Sequence, residues 1–528
     1  MLDSQNDPKQ VGKWDIIKPQ FKHLPVHISL MHTGEILAFG GSGNEKEMEG
    51  KWYLPEIFTP DYIGNTDGQV REISDSGIEG DLFCAGHAYL PDGRLFIAGG
   101  TYKYDGIFGL ESAFPPFSGL EQSYIFDPTD YSWTRIDNMK HGRWYPTCVM
   151  LANGDVTTFA GLTKWPPWLF LNHNEICSKN EDGKYKWQHL KRANKFLPLY
   201  PRIHLMPNGE LFYSGSYNTH MTFPFTLYGF HRGTLRPGKK GWKDIKSPKN
   251  MHRQEGTSVL MPLYPPYDKW KVMLMGGGNT VGGEVTKTTE IVEFDSQNGF
   301  ITSYQSEKDK QMNYERYFVY AVILPDQNIL VAGGKSGHAG HHHGKMECVD
   351  EKTMNPIHTT DAVNVAEIYN TKENYWKPVA EMTVDRLYHS NAILLPDGRV
   401  MTAGSNPARK CYEKRIEMYS PPYLFRGERP KITKNPDHIK YNESFEIELA
   451  DTESIKSIAL IRPSNTTHCL NPEQRYIGLD FERKNNNGNS SLSVNVPANR
   501  NVAPPGYYML FILNHEGVPN VAPFVLLS

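Results

Sequence analysis

Apolar runs and turn residues alternate along the chain in a pattern that returns seven times. Each return is a short apolar strand, a turn such as Pro-Asp-Gly, a second apolar strand, and then small residues, often Gly-Gly. The copies are "HISLMHTGEILAFGG" from His27, "GHAYLPDGRLFIAGG" from Gly86, "YPTCVMLANGDVTTFAG" from Tyr145, "YPRIHLMPNGELFYSG" from Tyr200, "GTSVLMPLYPPYDKWKVMLMGGG" from Gly256, "YFVYAVILPDQNILVAGG" from Tyr317 and "YHSNAILLPDGRVMTAGS" from Tyr388. Apolar runs bracketing Pro-Asp-Gly or Asn-Gly are hairpins.

A third strand such as "SYIFDP" or "AEIYNT" usually follows, then a fourth that often carries tryptophan, as in "YSWTRIDNM", "YKWQHLK", "GWKDIKS" and "NYWKPVAEM". Four antiparallel strands repeated at roughly 55–70 residues predict kelch-like propeller blades. The seventh hairpin lacks a fourth strand of its own, whereas "GKWDIIKP" around Trp14 stands alone before the first. It is expected to close the ring by completing blade seven; an open β-solenoid is the alternative. After "IEMYSPPYLFRGERPKI" the repeat stops and short strands alternate with polar turns for about a hundred residues, which suits an immunoglobulin-like β-sandwich. The expectation is an all-β chain: a seven-bladed kelch-like β-propeller over residues 1–428 and an immunoglobulin-like domain over 429–528.

Composition narrows the functions. The chain has 528 residues, 22% charged and 12% aromatic, and a net charge of −3 without a long basic run, which argues against nucleic acid as the main partner. No apolar run approaches the roughly 20 residues that span a membrane. The start, "MLDSQNDPKQVG", has no apolar signal-peptide core, so either the protein stays inside the cell or a leader has been trimmed. The six cysteines, Cys84, Cys148, Cys177, Cys348, Cys411 and Cys469, form no CxxC pair, which excludes a dense disulfide framework.

The candidate chemistry lies at one phase of the repeat. Counting back eight positions from the turn residue before glycine leads from Asp92 to Cys84, from Asn153 to Tyr145, and from Asp397 to His389, with Tyr388 beside it. Equivalent positions at the start of innermost strands converge on one mouth of the channel. Two phenols, an imidazole and a thiol there make a metal-site composition, and nitrogen and oxygen ligands suit Cu(II). A further ligand is available in Thr467-His468-Cys469, in a loop of the C-terminal region. Tyr200 falls at the same phase from Asn208, so simple packing is the competing reading.

With "FCAGH", "GRWYPT", "YHSNAILLPDGRV", "SPPYLFRGERPKI" and "THCLNPEQR" in order, the chain resembles the copper radical oxidases, the galactose oxidase and glyoxal oxidase family, on the glyoxal oxidase and bacterial side. The resemblance implies that Tyr145, His389 and His468 hold one copper ion equatorially. Tyr388 would be the axial ligand and the base that takes the substrate hydroxyl proton. Cys84 would be joined to Tyr145 by a thioether, the linked phenol carrying a free radical. The implied activity is oxidation of a small primary alcohol or aldehyde by O2 to give hydrogen peroxide, by a monomer outside the cytoplasm. Phe83 would line the pocket. The galactose oxidase branch stacks a tryptophan on the radical tyrosine; the same offset here gives Thr163, so Trp165 or Trp168 would have to substitute. The extra cysteines of that branch reduce to Cys411.

Other features read as structural. The "GHAGHHHGK" loop with His338, His341, His342 and His343 is expected to be a solvated tip, and "GGGNTVGG" a blade turn rather than a phosphate loop. Asn442, Asn465 and Asn489 lie in glycosylation sequons. Two other functions compete with the oxidase: a non-catalytic kelch propeller that binds a protein or glycan, and a copper-binding protein without the cross-link.

Overall fold

A computed structural model describes residues 7–41, 54–62, 64, 66–74, 76–103, 117–165, 171–216, 231–246, 253–279, 283–340, 346–347, 358–407, 411–486 and 489–528. Each of the seven hairpins forms the inner half of its own antiparallel sheet. In the second sheet Gly86–Tyr89, Leu95–Ala98, Ser123–Phe126 and Trp133–Ile136 follow one another outward. Inner strands of this kind are buried at every position, while outer strands such as Trp133–Ile136 and Tyr185–His189 are largely exposed. That gradient explains the sequence pattern. An inner strand is covered on both faces by neighbouring sheets, so it is a continuous apolar run, and tryptophan on the outer strand covers the rim. Innermost strands of successive sheets touch: Gly86–Tyr89 meets Thr147–Met150, which meets Ile203–Leu205, and Asn391–Leu394 meets both Tyr320–Ile323 and His27–Leu30.

The strand expected around Trp14 is Lys13–Gln20, and it pairs antiparallel with Arg415–Ser420 as the outer strand of the seventh hairpin's sheet. Trp14 lies opposite Tyr419 with ring centroids 4.7 Å apart, and its indole N–H donates to the carbonyl of Ala380 at 2.8 Å. The beginning and the end of the repeat region therefore meet in one sheet.

Buried charges repeat with the sheets. A glutamate lies within the first three residues of the third strand in several of them: Glu56, Glu175, Glu367 and Glu417 each accept backbone N–H bonds from the segment leading out of the previous sheet. Arg143, Arg253, Arg316 and Arg386 each send a guanidinium N–H to the carbonyl that ends their own hairpin, at Ala160, Gly276, Gly333 and Gly404, over 2.7–3.0 Å. Those four acceptor residues all have positive φ, between 58° and 78°. Buried charges need compensation: Arg143 pairs with Glu175 and Arg316 with Glu367, while Arg253 and Arg386 donate to several backbone carbonyls.

Past residue 430 there are two more sheets. One is Ile432–Lys434, Ser444–Leu449, Asn489–Asn495 and Phe481–Asn486; the other is His438–Ile439, Phe524–Leu527, Gly506–Asn514, Ile455–Arg462 and Arg475–Leu479. They share one core, in which Ile447 and Leu492 of the first meet Leu460 and Leu510 of the second, and the cluster continues into Phe212, Leu260 and Trp270 of the repeat region. One segment leaves this region altogether. Asn465–Thr467 adds to the first sheet as a fifth strand, beside His27–Leu30.

Two predictions follow from these contacts. Trp14→Ala removes a buried indole and its hydrogen bond, and is expected to cost about 3 kcal/mol in urea-induced unfolding. Burial pushes His87 and His204 down to about 3 from the ordinary 6.5. The native state therefore leaves them neutral at pH values where the unfolded chain binds protons. Their contribution is complete above pH 6.5 and is lost as pH falls toward 3, by up to about 1.4 kcal/mol per pH unit for each. The urea midpoint is expected to be lower at pH 5 than at pH 7.

Candidate metal centre

Cys84, Tyr145 and His389 each stand two residues before an innermost strand, and each adopts a left-handed backbone, with φ of 65°, 63° and 63°. Glu255 and Phe318 occupy the same place in the fifth and sixth sheets with φ of 53° and 67°. A non-glycine residue takes this conformation only where surroundings impose it. Here the kink breaks the strand's alternation and turns the side chain toward the other sheets. It also explains why Tyr388 and His389, adjacent in sequence, serve one site: their rings stack at 3.8 Å rather than pointing to opposite faces. The kinks are stitched from sheet to sheet. Tyr145 N–H donates to the Cys84 carbonyl at 3.0 Å, Tyr200 N–H to the Tyr145 carbonyl at 2.9 Å, and Phe318 N–H to the Glu255 carbonyl at 3.0 Å.

His468 arrives from the C-terminal region at the end of the inserted strand, with φ of 47°. The second and third sheets, the seventh sheet and this finger thus supply Cys84, Tyr145, Tyr388, His389 and His468, all buried. One potential ligand atom from each of Cys84, His389 and His468 lies within 4.8 Å of the others, and Cys84 Sγ is 3.7 Å from His468 Nε2. The hydroxyls of Tyr145 and Tyr388 share a hydrogen bond. The His468 ring centroid lies 4.7 Å from that of Tyr145, 4.5 Å from His389 and 5.4 Å from Tyr388.

Neighbours orient both imidazoles. His389 Nδ1 is 3.2 Å from the Asn406 amide oxygen, which only accepts, so the proton sits on Nδ1 and Nε2 carries the lone pair. His468 Nδ1 is 2.6 Å from the Thr467 hydroxyl. This is the outer-shell pattern that orients metal-ligating histidines. Burial pushes the phenols of Tyr145 and Tyr388 and the thiol of Cys84 well up, so without a metal all three are neutral. Two imidazoles and two phenols converging in a dry site fit Cu(II), whose charge offsets the cost of ionising the phenols.

The other expected residues divide. Phe83 is buried, with its ring 5.3 Å from His389 and 6.5 Å from His468. Trp165 is 76% exposed and does not stack on Tyr145, and Trp168 lies outside the described residues. The stacking ring is Trp144, the neighbour in sequence, with centroids 3.9 Å apart and planes at 16°. Tyr200 also stacks on Tyr145, at 4.5 Å and 26°. Two near-parallel rings at such distances cannot share one face, so Tyr145 is sandwiched, and Phe117 extends the stack beyond Trp144 at 4.5 Å. Phe318 lies 5.2 Å from Tyr388. Trp144 was in plain view inside "GRWYPT", and the count that gave Tyr145 also gave Tyr200; neither carries a ligand, so neither announced itself.

His341, His342 and His343 lie outside the described residues, while His338 is exposed, with its Nδ1 2.8 Å from the Ala339 carbonyl. Asn465 is fully buried in the inserted strand, which removes it as a glycosylation site. Cys411 is engaged in a disulfide.

Comparison with known proteins gives the same family. Residues 65–423 match the family described as "Glyoxal oxidase N-terminus", and residues 429–527 match "Galactose oxidase-like, Early set domain". An aldehyde oxidase GLOX of Vitis pseudoreticulata is 25% identical over 98% of this chain and 97% of its own length. A galactose oxidase of Gibberella zeae is 24% identical over 92% of this chain, which spans 65% of that protein. A solved fungal alcohol oxidase of the AA5 family, in complex with copper, aligns over 98% of this chain with a TM-score of 0.74 at 22% identity, showing a shared fold. The first of these matches alone covers most of the sequence, and the chain belongs to the glyoxal oxidase and galactose oxidase family, the copper radical oxidases.

Proposed function

We propose that this protein oxidises a small primary alcohol or aldehyde with O2, yielding hydrogen peroxide, at one copper ion and a Cys84–Tyr145 thioether radical. The observation that carries the reading is the meeting of Cys84, Tyr145, Tyr388, His389 and His468, from four distant parts of the sequence, in one buried cluster. A propeller serving only as a binding surface has no use for a thiol against a phenol at its dry centre, and metal storage has no use for a sandwiched tyrosine.

Tyr145, Tyr388, His389 and His468 would hold the copper, which when bound supplies a one-electron redox partner and a Lewis acid. Tyr388 takes the substrate hydroxyl proton. Its hydrogen bond to Tyr145 keeps it beside the ring that takes the hydrogen atom from the substrate carbon. Trp144 and Tyr200 cover both faces of that ring and keep water from it. Phe83 gives the site an apolar wall near both imidazoles. Substrate identity is set by the segments around the mouth.

The seven hairpin sheets are read as the blades of one propeller over residues 1–428, with the seventh completed by Lys13–Gln20, and residues 429–528 as an immunoglobulin-like sandwich that sends His468 to the site. The shared core of the two C-terminal sheets supports that division. A monomer outside the cytoplasm is proposed, and the Cys411 disulfide supports an oxidising compartment.

Intact mass of the denatured protein, before and after aerobic copper loading, tests the cofactor. The loaded wild type is expected to be lighter by two hydrogens, with the Cys84 and Tyr145 peptides joined. Cys84→Ser is expected to bind copper with no mass loss and to lose nearly all oxygen uptake on a panel of alcohols and aldehydes. Tyr388→Phe is expected to keep the cross-link while kcat falls by about 10²–10⁴-fold, the usual contribution of a positioned base. A free Cys84 thiol in fully copper-loaded wild type contradicts the reading.

A further inference from the structure

The stitching that holds the kinks has a gap at its beginning. Tyr145 N–H and Tyr200 N–H each find the carbonyl of the kinked residue in the preceding sheet. By the same pattern Cys84 N–H requires an acceptor from the first sheet, where counting back eight positions from Thr33 gives Pro25. Proline's ring fixes φ near −65°, so this residue cannot take the left-handed turn. Its carbonyl is engaged elsewhere, accepting from the Asn391 side chain at 3.0 Å. The acceptor that Cys84 N–H finds is a side chain: His27 Nε2, at 3.1 Å.

The His27 ring is fixed on every side that an imidazole offers. It stacks on Phe39 at 4.5 Å with planes 10° apart, and its Nδ1 is 3.0 Å from His87 Nε2. Because Nε2 accepts from an amide, the proton of the neutral ring sits on Nδ1 and is donated to His87. The Asn465 side chain, which lies near enough to His87 to act on its charge, accepts from the hydroxyl of Ser29, two residues on from His27, at 2.7 Å. Asn465 belongs to the strand that ends at His468, and His27 itself pairs with Thr467 in that sheet. One imidazole thus ties the backbone of Cys84 to the finger that brings His468, whose Nε2 lies 3.7 Å from Cys84 Sγ.

We propose that His27 is a positioning residue for making the thioether: by accepting the Cys84 N–H it holds the strained backbone that aims the thiol at the Tyr145 ring. The inference rests on the cross-link of the proposed function. Linking breaks the Cys84 S–H and one ring C–H of Tyr145 and forms one S–C bond. The two hydrogens leave as two protons and two electrons and reduce O2 to hydrogen peroxide. His27 takes no part in that transfer. Its contribution is to the fraction of time Sγ spends against the ring.

The test compares two amides at position 27. In His27→Gln the amide oxygen reaches about where Nε2 stands, whereas in His27→Asn it stops near the position of Nδ1. Each protein is loaded with copper in air, and the loss of two hydrogens is followed against time by intact mass, with copper content and thermal unfolding measured alongside. His27→Gln is expected to link at close to the wild-type rate and His27→Asn about tenfold more slowly or worse, the scale of losing one buried hydrogen bond, both with copper bound. Equal rates for the two variants, fast or slow, overturn the proposal, because then acceptor placement does not matter. Should His27→Asn fail to fold, His27→Phe, which keeps the stack on Phe39 and lacks the acceptor, stands in its place with the same two outcomes. A wild type that never loses two hydrogens refutes the cross-link itself; a linked wild type with an equally fast His27→Asn refutes only the role of His27.

Discussion

Everything at the metal centre depends on a backbone conformation that L-residues avoid. At the start of five innermost strands a non-glycine residue sits at φ between 53° and 67°, and from three of these places come Cys84, Tyr145 and His389. Such kinks are costly singly, of the order of 1 kcal/mol or more each. They persist because backbone bonds join Cys84 to Tyr145 and Glu255 to Phe318, and because four of the five are braced from behind. Arg143, Arg253, Arg316 and Arg386, two or three residues upstream of Tyr145, Glu255, Phe318 and His389, tie those four segments to the ends of their own hairpins. The repeat therefore supplies the same rigid socket several times, and chemistry requires only that the socket hold different side chains.

The sockets are filled unequally. Three carry the groups proposed for copper and the thioether, Glu255 carries a carboxyl and Phe318 a ring that packs on Tyr388, while Tyr200, entering the fourth sheet with φ of 43°, packs on Tyr145. This gives Tyr145 an environment of a kind a solvent-exposed phenol lacks: fully buried, stacked on both faces, and hydrogen-bonded to a second phenol. A ring so enclosed is kept from water, which suits the radical proposed for it. Rigidity has the same source, since ligands held on packed strands need little reorganisation when a metal arrives.

The site is also the place where the two halves of the chain are joined. The strand Asn465–Thr467 leaves the C-terminal core and pairs with His27–Leu30, so His468 reaches the cluster as an extension of the first sheet. Arg202 donates to the His468 carbonyl at 2.8 Å, and Thr257 donates to that of Cys469 at 2.9 Å, pinning the finger to two further sheets. The cluster residue that comes from farthest away in sequence, His468, is thus held by at least three sheets of the repeat region.

The sequence by itself determined a good deal. Apolar runs of period and spacing suited to hairpins are local signals, and all seven hairpins could be read because burial on both faces of an inner strand demands them. Cys84, Tyr145 and His389, with Tyr388 beside it, were legible because a fixed count from each turn marks the same point of each repeat, and because phenol, imidazole and thiol at that point are not what packing alone selects; His468 was found outside the count, in its Thr-His-Cys loop. What the sequence could not decide is which neighbours close around those residues. Whether Trp144, Trp165 or Trp168 stacks on Tyr145 depends on where the chain runs after the hairpin, and Trp165 is carried out to solvent. His27 lay outside the count altogether: it sits two residues beyond the proline that breaks the pattern, and its bond to Cys84 spans two sheets. Contacts across sheets follow from how the sheets pack, and only the tertiary structure fixes that packing.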